Sequence, residues 1–232
     1  MILALSRTEL TLLLRNKTAA SLALAMPLLL GALLLVNDTS DWTLTITLQL
    51  VMMLGFTVYT TVTTSLVARR QDLYLKRLRT GEASDRVVVL GLLVPATALG
   101  LAQAVVLLGI SRAAGAPLPD RPLLLVLAVV GGAAMCCAAG VVTSGITSTP
   151  ELAQITTAPF FFALFGGALW TWASDTVDHR MLLVPGGQIA ELVKAALGGA
   201  TDNVVPATAS LAAWTAIGAA LAVRHFRWEP RT

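Results

Sequence analysis

Residues Trp42–Ala68 read WTLTITLQLVMMLGFTVYTTVTTSLVA, and the next eighteen, Arg69–Arg86, read RRQDLYLKRLRTGEASDR. The first stretch holds no Asp, Glu, Lys, Arg or His, whereas the second carries six basic and three acidic residues. A helix rises about 1.5 Å per residue and the hydrocarbon core of a bilayer is about 30 Å thick, so about 20 apolar residues cross it. The pair therefore predicts a membrane-spanning helix that ends in a watery connection. Five further uncharged stretches meet the same test: Thr18–Val36, Val87–Ser111, Pro122–Pro150, Leu152–Ser174 and Asn203–Val223. Their interior Pro27, Pro95 and Pro159 are compatible with membrane helices, where proline is tolerated. The expected fold is an all-α integral membrane protein, a single domain over residues 1–232, with six spans inside residues 18–223 and a tail over 224–232.

Composition leads to the same class. The 232 residues are 56% hydrophobic and 12% charged, about half the charge of a soluble domain. That excludes a soluble globule, a disordered chain and a collagen. The two cysteines, Cys136 and Cys137, are neighbours in an apolar run and read as packing residues, not as a disulfide framework or a metal site. The net charge of +3 does not argue for nucleic acid, because the basic residues flank the spans. With the N-terminus in the cytoplasm, twelve Lys and Arg fall on the inner side, among them Arg7, Arg69, Arg79 and Arg231. Four fall outside: Arg112, Arg121, Arg180 and Lys194. That bias sets both termini in the cytoplasm. The run from Ala19 to Val36 is longer than a signal-peptide core and lacks a small-residue cleavage site, so it reads as an uncleaved first span.

Between the spans the loops differ in kind. On a helical wheel, Arg7, Thr8, Thr11 and Arg15 share an arc, Leu3, Leu10, Leu13 and Leu14 lie mainly away from it, and Glu9 breaks the pattern. Residues 1–17 thus read as an interfacial helix or as a cytoplasmic extension of the first span. Leu73–Arg79 are mostly good helix formers, Gly81 can stop such a helix, and Ser84 or Asp85 can cap the third span. As a bare pattern, this basic loop reads first as a retention signal, since any inner loop collects Lys and Arg. Residues Asp175–Asp202 form the longest outer segment. Pro185-Gly186-Gly187 breaks it. Then Ile189, Leu192, Val193 and Ala196 show helical periodicity, with Glu191 and Lys194 on other faces. Too short to span, this piece is expected to be interfacial or re-entrant.

The chemistry available is narrow. The two histidines, His179 and His225, sit in an outer loop and in the tail, and Asp175, Asp178 and His179 read as a solvated loop. None of Lys17, Lys76 and Lys194 ends a GxxxxGK[ST] phosphate loop, so this chain offers no such ATP site. No ionisable residue interrupts a span, which argues against a proton-driven carrier. Thr57, Thr60, Thr61 and Thr64 recur at the spacing of one helix face, either to line a mildly polar path or to pack against a neighbour. Phe161 and Phe165, four apart, are the candidates for an inward apolar gate within the phenylalanine run after Pro159; ordinary core or lipid packing is the other reading. Gly131, Gly132 and Gly140 in the fourth uncharged stretch favour close backbone approach.

The order of parts resembles the permease subunits of ABC-2-type exporters: a leader helix, six spans, a basic helix between spans two and three, and a long outer hairpin before span six. The sharpest likeness is Leu75-Lys76-Arg77-Leu78-Arg79-Thr80, similar to the family's LKRLR[TA] run, with Ser84 near the end of the loop. Gln71, Asp72, Leu73 and Tyr74 stand where the family carries Glu-rich residues and often a Gly-Thr pair. The resemblance implies that Leu75, Lys76, Arg77, Leu78 and Arg79 form a coupling helix seated on a separate ABC ATPase subunit, present in two copies. It implies that ATP and magnesium are held by that partner, with no cofactor in this chain. It also implies a second permease, the same chain or a sister, and an outer re-entrant segment over Pro185, Gly186, Gly187, Ile189 and Leu192. The expected function is the membrane half of an ATP-driven exporter in the plasma membrane, for an amphipathic drug, natural product or lipid-like cargo. A non-transport scaffold or an integral membrane enzyme is the alternative.

Overall fold

The computed structural model describes residues 2–36, 41–73, 85–174 and 176–225, which are helices joined by short turns, with no strand among the described residues. In chain order they are α1 (Ile2–Arg15), α2 (17–36), α3 (Trp42–Gln71), α4 (Asp85–Ala113), α5 (Pro122–Ile146), α6 (Pro150–Thr156), α7 (Ala158–Ala173), α8 (His179–Leu183), α9 (Gly187–Ala196) and α10 (Val204–His225). Five stretches are long and apolar enough to cross a membrane: Trp42–Gln71, Val87–Ala113, Pro122–Ile146, Pro150–Ala173 and Val204–Arg224. The protein is a multi-pass membrane protein. Helix α2 stands where a first span is expected, but its apolar part, Ala23–Leu35, is shorter than the other five. Lys17, Thr18 and Ser21 occupy its first turns.

Local chemistry sets the ends. Asp41 caps α3, its Oδ1 accepting from the Leu44 N–H at 3.1 Å. Proline opens both α5 and α6, where a missing N–H costs nothing. Because the residue before a proline avoids the helical region, Thr149 is extended (φ −130°, ψ 156°), and the fourth span ends at Ile146, four residues before the expected Pro150. Beyond Gln71 the chain turns: Leu73 adopts φ 56°, so the basic connecting helix cannot begin at Leu73 as its composition suggests.

Two π-helical turns, Ser21–Ala25 in α2 and Leu54–Thr60 in α3, pack against each other. Gln103 of α4 clasps the first, its Nε2 donating to the Ala23 and Leu24 carbonyls at 3.1 Å each. The core is built around α3. Leu50, Met53, Leu54 and Tyr59 meet Met135 and Cys136 of α5, Leu164 of α7, and Ile189 and Leu192 of α9. Cys136 is thus a core residue, as its apolar setting predicts. Small residues allow the closest approaches. A Cβ on Gly132 would meet Leu54 and Ile189, and one on Gly140 would meet Val62 and the Tyr59 carbonyl. Helix α10 packs chiefly along α5, over Gly131 and with its own Gly218 against Ala138.

Candidate functional site

The threonine face splits in two. Thr57 is fully buried, its Oγ1 lying 2.6 Å from the Ala23 carbonyl and contacting Gln103 Oε1, so it joins α2, α3 and α4. Thr60, Thr61 and Thr64 instead line a cavity of about 200 Å³ together with Phe56, Asn16, Thr18, Pro150, Glu151 and Gln154. The cause is the π turn. With more residues per turn than an α-helix, it rotates the residues beyond it, so a spacing of three and four no longer keeps one face. Thr60 and Thr61 hydroxyls bond the Gly55 and Phe56 carbonyls, five residues back, at 2.9 and 3.2 Å. Thr64 bonds the Thr60 carbonyl at 2.9 Å. The wall is therefore polar in composition but presents satisfied hydroxyls, a surface that suits a mixed polar and apolar guest.

Phe56 carries this wall on into aromatic packing. Phe161 sits edge-on to it with ring centroids 4.7 Å apart, and Phe165 stacks on Phe161 at 6.4 Å with planes 9° apart. The two candidate gate residues do share a face, and they lie behind the threonine cavity, Phe161 filling the space above Gly55. Phe162 points away and is 72% exposed. No sequence pattern marks Asn16, Phe56 and Gln154 as cavity residues, since they come from the bend before α2, from α3 and from α6.

At the end of α3 stand two adjacent arginines with different partners. Arg69 pairs with Glu9 of α1 at 2.9 Å, which explains the acidic break in the leader's basic face. Arg7, Thr8, Thr11 and Arg15 of α1 are exposed, while Ser6 is buried and donates to the Gly91 carbonyl at 3.1 Å. Burial pushes the Glu9 carboxyl above its ordinary value, and the Arg69 charge partly offsets this. Arg70 is 2% exposed and donates to the Ser144 carbonyl at 2.9 Å and to that of Thr147, so a cation caps the C-terminus of α5. The C-terminal end of α3 is thus anchored to two other helices. Leu75, Lys76, Arg77, Leu78 and Arg79 lie outside the described residues.

The opposite end holds the hairpin of α8 and α9. Pro185 and Gly186 make its turn, buried against α7, and Gly186 (φ 95°) leaves no room for a Cβ, which would lie 1.8 Å from the Leu164 carbonyl oxygen. Gly187 packs on Thr171 and the Met181 carbonyl, while Ile189 and Leu192 are wholly buried in the core. Its spacing predicts Glu191 on a face away from the apolar one, yet it is only 2% exposed, because α9 is enclosed by α3, α5, α7 and α10. Arg121 closes its C-terminus, donating to the Ala195 and Gly199 carbonyls at 2.8 and 3.0 Å. Asp178 caps α8, so at least one acid of the loop between α7 and α8 has a structural task.

A comparison with curated proteins finds no match to this chain. A model of the family described as ABC-2 type transporter matches residues 2–174, three quarters of the sequence, from α1 to the end of α7. The match takes in the leader helix, the threonine cavity, the anchored arginines and the phenylalanine stack; α8, α9 and α10 lie beyond it. Proteins of this family are transport permeases without an ATPase domain of their own. Multiple apolar helices around a partly polar cavity agree with that match. The chain belongs to the ABC-2 type transporter family.

Proposed function

We propose that this chain is the permease of an ATP-driven exporter and that the cavity walled by Phe56, Thr60, Thr61 and Thr64 is part of its translocation path. The observation that carries this reading is the split threonine face: three hydroxyls border open space, while the fourth is consumed in packing. A wall of satisfied hydroxyls beside aromatic rings suits an amphipathic or hydrophobic cargo, such as a drug, natural product or lipid-like molecule. Phe161 and Phe165 close the path on its apolar side and part when the transporter cycles. In this reading α2 is a sixth crossing, both termini are cytoplasmic, and the α8–α9 hairpin is re-entrant at the outer mouth.

Energy comes from two copies of a separate ABC ATPase, which hold ATP and magnesium. Each docks on Leu75–Arg79, and a second permease, identical or sister, completes the path. The double anchoring of Arg69 and Arg70 supports this, because a pull on the following segment reaches α1 and α5 at once. The test is copurification with the ATPase, together with cargo transport, for Arg77→Glu combined with Arg79→Glu. The expected result is loss of ATPase association or of coupled transport with the membrane domain still monodisperse. Wild-type association and transport in that variant would refute the coupling assignment, and unchanged export by Thr61→Val with Thr64→Val would refute the path.

A further inference from the structure

The end of the bundle opposite Arg70 holds a second cavity, of about 150 Å³, bordered by Asp41, Thr47, Thr171, Trp172 and Lys194. It belongs to no part of the threonine path: its walls are the first turns of α3, the last turn of α7 and one face of α9. Two features mark it as unfinished. Thr47 and Thr171 are each 1% exposed, line the cavity, and have hydroxyls with no hydrogen-bond partner among the described residues. Buried hydroxyls are nearly always bonded, so two orphans on one cavity point to a guest that bonds them. The charges are also unspent. Lys194 forms no ion pair among the described residues, and Asp41, although on the same cavity, is not its partner. Among those residues the Asp41 carboxylate accepts only from neutral donors, the Leu44 N–H at 3.1 Å and the Trp172 indole N–H at 2.6 Å. Glu191, although on the same helix, does not border this cavity.

A cavity this small holds less than the roughly 300 Å³ at which whole-ligand pockets begin, so it takes a headgroup and not a complete amphipath. One cation and one anion that leave each other unpaired, with two hydroxyls free to donate or accept, match a guest with both charges. We propose that this cavity binds a zwitterionic group, an ammonium set a few bonds from a phosphate or carboxylate, with the ammonium toward Asp41 and the anion toward Lys194. Trp170 and Trp172 at the end of α7 are 49% and 39% exposed, as tryptophans at headgroup depth are. A phosphoethanolamine headgroup of a lipid and a free zwitterionic solute share this chemistry.

The two sources separate in a binding experiment on the full chain in detergent micelles, read by thermal shift and native mass spectrometry. The probes are dihexanoyl-phosphatidylethanolamine, O-phosphoethanolamine, dihexanoyl-phosphatidylglycerol and ethanolamine. Saturable binding of the first is expected, with the anion-only and cation-only probes weaker by about tenfold or more, since each loses one charged contact. Lys194→Gln and Asp41→Asn should each weaken it by a similar factor; asparagine still caps α3, and the probe series on the parent chain stands if either variant misfolds. Equal binding of lipid and free phosphoethanolamine assigns a solute, and binding of the lipid alone assigns a headgroup; both support the site. No saturable binding of either zwitterion, or phosphatidylglycerol or ethanolamine binding as tightly, overturns it. Binding is read without ATPase or cargo, so this result is independent of the exporter reading.

Discussion

Helices Trp42–Gln71 and Val204–Arg224 have the same mean hydropathy, yet 72% of the most apolar window of the first is buried in the protein and only 17% of the second. In water such a difference would require different composition. In a bilayer it does not, because lipid tails are as apolar as leucine and nothing drives one apolar helix inward ahead of another. The two are separated by their minority of polar and small residues. The first carries Gln49, Thr57, Tyr59, Thr63 and Arg70, all buried and all bonded, whereas α10 buries only Ser210 among its described polar side chains. Polar groups that find no water in the hydrocarbon must find protein, so they decide which helix is central. The exposed side of α10, with Val205 at 77% and Ile217 at 55%, is left for lipid or another subunit.

That contrast is easiest to break at the packing around α3 and α9. Gly186→Ala should have the largest effect, a loss above about 3 kcal/mol or failure to fold, since a Cβ there meets the Leu164 backbone at a φ that L residues avoid. Monodispersity and thermal unfolding in detergent check it, and a parent-like melting temperature would mean that the hairpin yields. Arg70→Met should cost about 2–3 kcal/mol, because the carbonyls of Ser144 and Thr147 at the end of α5 lose a charged donor. Arg69→Met leaves the buried Glu9 carboxyl without its cation but lets it take up a proton, so it should cost less than the Arg70 change, about 1–2 kcal/mol. Similar losses for the two arginines would erase the distinction drawn between them.

Gln103→Leu should cost about 1–2 kcal/mol, read as earlier melting and faster amide exchange in α2, whose π turn loses its clasp. Smaller still is the pH dependence at Glu9. Its folded value lies above the ordinary 4.5, so the folded chain holds the proton more tightly than the unfolded one. Its contribution is therefore complete below pH 4.5 and declines as pH rises through the folded value. Exchange protection of α1 should fall across that window, and Glu9→Gln should flatten the profile; a parent-like slope in the variant would assign the dependence elsewhere. At the bottom of the scale, Val205→Ala and Ile217→Ala should change stability by about 0.5 kcal/mol or less. A larger loss would reveal a protein partner on α10 in place of lipid.

The apolar runs alone determined that the chain is helical and membrane-embedded, because any peptide at that depth must satisfy its backbone within itself and a charge-free run of sufficient length is written in one dimension. The leader's exposed basic face and the buried periodicity of Ile189, Leu192, Val193 and Ala196 were legible for the same reason, each depending on one helix and its own period. Tertiary structure decided the rest. Periodicity placed Thr57 with Thr60, Thr61 and Thr64, but the π turn aims it at Ala23 and Gln103, away from the cavity that the other three line. Nothing in RRQD tells Arg69 from Arg70; their roles come from Glu9, 60 residues earlier, and from the end of α5, 74 residues later. Glu191 and Lys194 read as ordinary polar positions of a short helix until four neighbouring helices buried one and set the other on a cavity with Asp41. Cavities and buried charges belong to several helices at once, and a linear pattern records only the one that it runs along.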